Sequence, residues 1–315
     1  MTSSAAEAQA LRIATRRSPL ALWQAEFVAA RLRAAQPSLH VSLVPMTTQG
    51  DRELSRSLAT SGGKGLFVKE LEVAMLEGRA DIAVHSMKDV PAQLPDGLRI
   101  TTVLPAEDPR DAFVSHSVAR LSDLPQHARV GTASLRRQSQ LLAMRPDLQI
   151  ETLRGNVNTR LQRLDDGDFD AIMLACAGLR RLEFGARIRE ALDPAQFVPA
   201  CAQGIIGIEA RADDTATLAA LAPLHDPDTA TRLAAERSFS ARLGGACTVP
   251  VAGHAQLTQG RIALDGVVAS PNGRQLVRDR HEGDAADAAL VGLTLAERLL
   301  DQGARAILAD MGIEA

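Results

Sequence analysis

The chain has 315 residues and a formal net charge of −3, with 3% aromatic residues and no tyrosine, which leaves neither a global positive field nor stacking platforms for nucleic acid. That length exceeds one ordinary core, so two or three domains are expected, none of which needs disulfide staples. Cys176, Cys201 and Cys247 show no CxxC or His-rich spacing, residues 1–10 hold no apolar leader and no long apolar run occurs, so the expectation is a soluble cytoplasmic protein without metal or membrane span.

Residues 11–15 read as a strand. Ser18-Pro19 then supplies a cap and a first helical proline for a helix with Leu20, Trp23, Phe27 and Val28 on one face, and Arg16 and Arg17 at its mouth. Leu39, Val41 and Leu43 alternate as a second strand. Residues 47–65 are polar and Gly-rich, which predicts a mobile surface loop or lid. Within it Gly62-Gly63-Lys64-Gly65 lacks the spacing of a phosphate loop. An amphipathic helix over 66–77 follows.

Residues 81–91 are the densest in chemistry. A buried strand (Ile82, Ala83, Val84) meets a polar knot (His85, Ser86, Lys88, Asp89) that Pro91 stops, and strand tips of this kind carry chemistry in α/β proteins. Asp89 is the candidate catalytic acid; the alternative is a turn cap beside a satisfied core histidine, His85. Only three of the 35 basic residues are lysine (Lys64, Lys69 and Lys88), and all lie between positions 64 and 88. Compact ammonium groups thus persist only here, and they differ from guanidinium in geometry and in ease of pKa shift. A strand over 99–104 brings a first domain to an end near Pro105.

The pattern restarts with strands at 112–115 and 129–132, after which Ser134 caps a helix over 135–145. The strand, Thr, capping Ser and helix repeat the opening of the chain and predict an anion seat at the helix N-terminus, here with Arg136 and Arg137. A strand at 148–153, a helix opened by Arg154-Gly155-Asn156 and passing Arg160, and a strand at 171–175 followed by Arg180 and Arg181 complete the set. Arginines at successive strand-to-helix junctions point to a cleft for a ligand with several carboxylates or phosphates. The apolar run 205–208 is placed to return to the first sheet. Asp228 is expected to cap a helix over 229–243 ended by Gly244-Gly245, followed by alternating segments 251–255, 262–269 and 275–280 and a helix over 285–300. Cys247 has no adjacent His or Lys, so on residues alone it reads as a small buried thiol rather than a nucleophile.

Several of these stretches together, Arg12-Ile13-Ala14-Thr15-Arg16, Ser18-Pro19-Leu20-Ala21, Gly62-Gly63-Lys64-Gly65-Leu66-Phe67, His85-Ser86-Met87-Lys88-Asp89, Gly131-Thr132 with Ser134-Leu135-Arg136-Arg137, Leu153-Arg154-Gly155-Asn156 and the Cys247 loop, resemble the porphobilinogen deaminase family over about residues 11–311. The resemblance implies an enzyme of haem biosynthesis that joins four porphobilinogen molecules head to tail, releasing ammonia each time, and then hydrolyses off the linear tetrapyrrole. It implies a dipyrromethane cofactor on Cys247 through a thioether, which replaces the bland reading of that thiol. It also implies that Asp89 is catalytic, and that Ser86, Lys88, Thr132, Ser134, Arg136, Arg137, Arg154, Arg160 and Gln203 hold the cofactor. Arg16, Ser18, Gln24, Lys64, Phe67, Arg154 and Arg181 are implied for substrate. Pyrrole acetates and propionates match the guanidinium fork, and surrounding Arg and Lys are expected to keep Asp89 ionised.

The expected fold is α/β, with two hinged, doubly wound α/β domains of the periplasmic-binding-protein kind around a cleft, plus a small α+β third domain. The expected boundaries are 8–104 with 205–222, then 105–204, then 223–315, in a monomer. Against the family pattern stand Ala246 before Cys247, Ala202 before Gln203, and Thr60 in the lid. The rival readings are a non-catalytic anion-binding protein and a nucleotide-dependent enzyme using the Gly62 loop.

Overall fold

The computed structural model describes residues 10–52, 68–245 and 249–313. The Gly62–Gly65 stretch, Lys64, Phe67, the start of the predicted 66–77 helix and Cys247 lie outside the described residues.

The first sheet begins with β1 (Ala10–Arg16), and α1 (Pro19–Ala35) starts where the sequence predicts. Ser18 accepts a hydrogen bond from the Ala21 amide at 3.4 Å, and Pro19 occupies the first helical position, where its missing N–H costs nothing. The buried face of α1 is Ala25, Val28, Ala29 and Leu32, the 3.6-residue stripe, whereas Trp23 and Phe27 stack on each other at 5.0 Å beside it and are only partly buried. The expected face was thus rotated toward the aromatics, because small alanines are what fit against the sheet. β2 (His40–Met46) pairs parallel with β1, and a short helix α2 (Gln49–Arg52) stands in the segment expected to be loop. Then come α3 (Lys69–Leu76), β3 (Ile82–Ser86), a 3₁₀ turn at Met87–Asp89, and β4 (Leu98–Val103). β3 extends further than predicted and includes His85 and Ser86.

The chain next builds a second sheet from β5 (Asp111–Ser115), β6 (Arg129–Gly131), α4 (Leu135–Met144), β7 (Gln149–Glu151), α5 (Val157–Asp165), β8 (Ala171–Ala175), α6 (Cys176–Arg181) and β9 (Glu190–Ala191). Its strand order is β7-β6-β8-β5-β9, with β5 antiparallel to both neighbours. It then returns as β10 (Ile206–Arg211), which inserts antiparallel between β3 and β4 to give the order β2-β1-β3-β10-β4. The two passages between the sheets run side by side, and the Glu107 amide donates to the Gly204 carbonyl at 3.2 Å. Gly204 has φ +89, and a Cβ there would lie 2.4 Å from the Glu107 carbonyl oxygen, so only glycine fits this crossing. Ala202, two residues earlier, sits at φ +62, a conformation in which a glycine would be unstrained.

After α7 (Thr215–Leu221), α8 (Pro227–Arg242) is capped by Asp226 and not by Asp228: Asp226 accepts from the Thr229 amide at 3.0 Å, because Pro227 takes the first helical position and the cap must precede it. α8 ends at Gly244 (φ +96) and Gly245 (φ +57), as expected. A three-stranded antiparallel sheet follows, β11 (Val251–Thr258), β12 (Arg261–Ala269) and β13 (Leu276–Asp284), covered by α8, α9 (Ala288–Leu299) and α10 (Arg305–Ala309). Phe239 of α8 fills the space left by Gly253 and Gly266 of adjacent strands. The observed architecture is the expected α/β pair of sheets with a small α+β unit. Exposed Leu290 and Leu293 on α9 qualify the expectation that every apolar helix face has a core to join.

Candidate active site

β3 is a fully buried strand until Ser86, where the backbone turns into the 3₁₀ turn that carries Lys88 and Asp89. A cavity opens at this tip, lined by Arg16, Ser18, Leu20, Ala21, Gln24, Val68, Val84, His85, Ser86 and Asp89. Its polar residues come from β1, the α1 cap and β3 because parallel β1 and β3 end at the same edge of the sheet. Gln24 donates through Nε2 to Ser86 Oγ at 2.8 Å, fixing both side chains. His85 is a satisfied core histidine, with Nε2 2.8 Å from a carboxylate oxygen of fully buried Glu209, and it also lines the cavity.

The second sheet contributes cations. Ser134 and Thr132 shape the start of α4: Ser134 Oγ accepts from the Arg137 amide and Thr132 Oγ1 from the Ser134 amide. The guanidinium groups predicted to stand open at this seat are instead drawn inward. Arg136 donates twice to Asp111, at 2.8 and 2.9 Å, and Arg137 once at 2.7 Å, with the Val198 and Met173 carbonyls taking further N–H groups. Burial pushes the Asp111 carboxyl up, but the charges of Arg136 and Arg137 outweigh it and hold it at about 2.

Lys88 faces this cluster. Its Nζ donates to Gln203 at 3.3 Å, and Gln203 in turn donates to the Pro109 carbonyl at 2.7 Å, so the lysine is tied to one chain crossing directly and to the other through Gln203. Burial brings Lys88 down to about 8, with Asp89 opposing and Arg137 and Arg136 adding to the fall. Burial likewise brings Arg160 down to about 10, reinforced by Arg137 and Arg154 and opposed by Asp89. Five cations, Lys88, Arg136, Arg137, Arg154 and Arg160, therefore act on one another around two carboxylates, Asp89 and Asp111. Among the described residues this cluster counts more cations than carboxylates, which suits it to anionic ligands. Arg181, expected to bind substrate, donates to the Gly204 carbonyl at 2.6 Å and lies 5.8 Å from the Trp23 ring centroid, spanning from α6 to α1.

The third unit closes the far side. Arg237 of α8 donates to the carbonyls of Val90, Pro91 and Ala92, clamping the loop that follows Asp89. A Cβ on Gly245 would lie 3.2 Å from Ala92, so the chain reaches residue 245 beside that same loop. Glu236, a buried carboxylate, accepts from the amides of Ala202 and Ala255 and ties the Gln203 turn to β11. Sequence reasoning missed Asp111, Glu209, Glu236 and Arg237. Each is a charged residue in or beside an apolar run, and that was the only available signal. Among the described residues no group of three or more His, Cys, Asp and Glu is placed to hold a metal ion, and no helix is long and apolar enough to cross a membrane.

An acid at a strand tip beside a cluster of arginine and lysine is an arrangement suited to an enzyme cleft for a substrate bearing many carboxylates. The model of the porphobilinogen deaminase dipyromethane cofactor binding domain matches residues 11–219, and that of the porphobilinogen deaminase C-terminal domain matches residues 230–301. The chain belongs to the porphobilinogen deaminase family, which polymerises porphobilinogen to hydroxymethylbilane in haem biosynthesis, a transferase reaction that uses a dipyrromethane cofactor. Among solved structures the chain is similar to a nutrient binding protein from Burkholderia cenocepacia bound to methionine (13% identity, 67% of this chain and 90% of that one, TM-score 0.42). It is similar also to an ABC transporter periplasmic substrate-binding protein from Coxiella burnetii (14% identity, 70% and 94%, TM-score 0.43). Both likenesses are distant.

Proposed function

We propose that Asp89 is the catalytic carboxylate of this polymerisation and that the cations around it hold the carboxylates of cofactor and growing chain. The observation that supports the reading is the cluster of arginine and lysine around Asp89, in which cations outnumber carboxylates among the described residues. The residues fit a dipyrromethane group: Ser86, Lys88, Thr132, Ser134, Arg136, Arg137, Arg154, Arg160 and Gln203 would hold its acidic side chains, and Cys247 is the expected attachment point. When bound, that group supplies the ring carbon to which the first substrate joins. Arg16, Ser18, Gln24 and Arg181, with Lys64 and Phe67, would receive porphobilinogen.

Loss of ammonia from porphobilinogen leaves an electron-poor cation. Asp89, fixed on a short turn between a buried strand and Pro91, offers negative charge that needs no reorganisation as positive charge develops on the pyrrole nitrogen. Arg136 and Arg137, buried and immobilised by Asp111, would give the cofactor's carboxylates a fixed positive background and so help set ring orientation. We assign the units to 8–104 with 205–222, 105–204 and 223–315, in a cytoplasmic monomer that does not bind nucleic acid.

The test is intact mass of denatured protein before and after brief exposure to porphobilinogen, on the parent and on Asp89→Ala. The parent is expected to carry two linked pyrrole units and to show a ladder of one-ring steps. Asp89→Ala is expected to keep the primer or stalled species while losing nearly all turnover. Substantial turnover in that variant removes Asp89 from its role.

A further inference from the structure

The cavity wall that carries Asp89 also carries an imidazole. His85 precedes Ser86 on β3, is 4% exposed, and lines the same cavity as Arg16, Ser18 and Asp89. Its Nε2 lies 2.8 Å from Glu209 Oε2 on β10, the strand paired antiparallel with β3, and Glu209 is 0% exposed. The second Glu209 oxygen is buried with no hydrogen-bond partner among the described residues. Glu72 of α3, also buried, is coupled electrostatically to both, and Arg237 of α8 to Glu209.

A structural purpose accounts poorly for this arrangement. A buried carboxylate with one oxygen unsatisfied is costly, and an apolar pair of similar volume would hold β3 against β10 more favourably. What the pair does provide is control of the ring. In the tautomer in which Nε2 donates to the Glu209 carboxylate, Nδ1 is left as the acceptor nitrogen, and the carboxylate 2.8 Å away stands as counter-charge to a proton taken up there.

The reaction has a use for such a base. In each condensation the C–N bond of the porphobilinogen aminomethyl group, protonated as the ammonium, breaks, and its electron pair leaves on nitrogen as ammonia. The ring carbon at the chain end forms the new C–C bond with a pair of its π electrons and must then lose its hydrogen as a proton, the C–H pair returning to the ring. We propose that His85, oriented by Glu209, accepts that ring-carbon proton and passes it to the departing ammonia, which leaves as ammonium. The proposal rests on the Asp89 cavity being the reacting centre. Asp89 keeps its separate task of stabilising positive charge, and one carboxylate is not required to do both.

The experiment uses the holoenzyme with porphobilinogen deuterated at its free ring α-carbon, on the parent, His85→Gln and Glu209→Gln. His85→Gln is expected to retain the covalent primer by intact mass, to lose about a hundredfold in turnover, and to show a larger deuterium effect on kcat than the parent, because the proton transfer has become slower. Glu209→Gln is expected to shift the acid limb of the pH–rate profile, which reports the groups around the imidazole: Glu209, Glu72, Arg237, Arg16 and Asp89. A deuterium effect is a ratio over the molecules that turn over, so partial misfolding lowers the rate without moving it. An unchanged deuterium effect in His85→Gln overturns the proposal, whatever the rate. Normal turnover in Asp89→Ala overturns the role of Asp89 instead, and an enlarged deuterium effect in His85→Gln would still support the cavity as the place of the proton step.

Discussion

Asp111→Asn tests whether the arginine pair is organised as described. Asp111 is 0% exposed and takes three charge-assisted hydrogen bonds, of 2.8 and 2.9 Å from Arg136 and 2.7 Å from Arg137. Burial raises its carboxyl and the two guanidinium charges more than reverse that, from an ordinary 3.8 to about 2. At ~1.4 kcal/mol per unit the shift corresponds to roughly 2–3 kcal/mol, and removing one partner of a buried ionic cluster costs about 3–5 kcal/mol. The amide of asparagine also has to turn an NH₂ group toward a guanidinium. A loss of about 3 kcal/mol is therefore expected, read as a lower urea midpoint at unchanged slope. The carboxylate has a depressed folded pKa, so its contribution is complete above the ordinary value of 3.8 and is lost as the pH falls toward about 2. The gap between parent and variant should accordingly be full at neutral pH and narrow in acid. A loss below about 1 kcal/mol at neutral pH would show that Arg136 and Arg137 are held by the Val198 and Met173 carbonyls and not by Asp111.

Gly204→Ala should cost about 2–3 kcal/mol and most turnover, since the new methyl meets the Glu107 carbonyl at a left-handed position; calorimetry and a steady-state assay check both, and a neutral result would show that the crossing can shift. Burial first, and then the Glu209 charge, raises Glu72 to about 7, with His85 opposing. The folded state therefore holds a proton that the unfolded chain releases near the ordinary 4.5, and stability from this group falls as the pH rises toward about 7. Glu72→Gln should flatten that stretch of the stability curve and raise stability above it by about 1–3 kcal/mol; an unaltered slope refutes the assignment. Arg237→Met frees the Val90, Pro91 and Ala92 carbonyls. It should lower kcat about tenfold or more, since misplacing reacting groups is costly even when the change lies outside the chemistry, and unchanged kinetics would mean that the loop after Asp89 holds itself.

What was legible in the sequence is what is decided locally. Ser18 and Ser134 were readable as caps because a cap bonds to an amide three residues ahead. β3 and its polar tip were readable because an apolar run ending in His, Ser, Lys and Asp has few other meanings. The error at Asp226 and Asp228 was also local, since the weight of Pro227 was not applied to the residue before it. The Asp111 cluster was not legible: its arginines lie 25 and 26 positions away and meet it only because β5 runs antiparallel to β8 beneath α4. For the same reason Arg136 and Arg137 were expected at an open seat, when a carboxylate distant in sequence draws them inward. His85 with Glu209, 124 positions apart, needed the insertion of β10 to become a pair.

That insertion also sets a timetable for synthesis. Among the described residues β4 pairs with no strand other than β10, and β3 has β10 as its second neighbour, so the first sheet has a gap until residues 206–211 have been made. The second sheet is built entirely from residues 111–191 and has all its strands before then. Chains usually complete their units from the N-terminus as they emerge; here the middle unit can finish first. The unit that begins the chain waits on the ribosome with its β4 edge unpaired, where an exposed strand edge is open to pairing with another nascent chain.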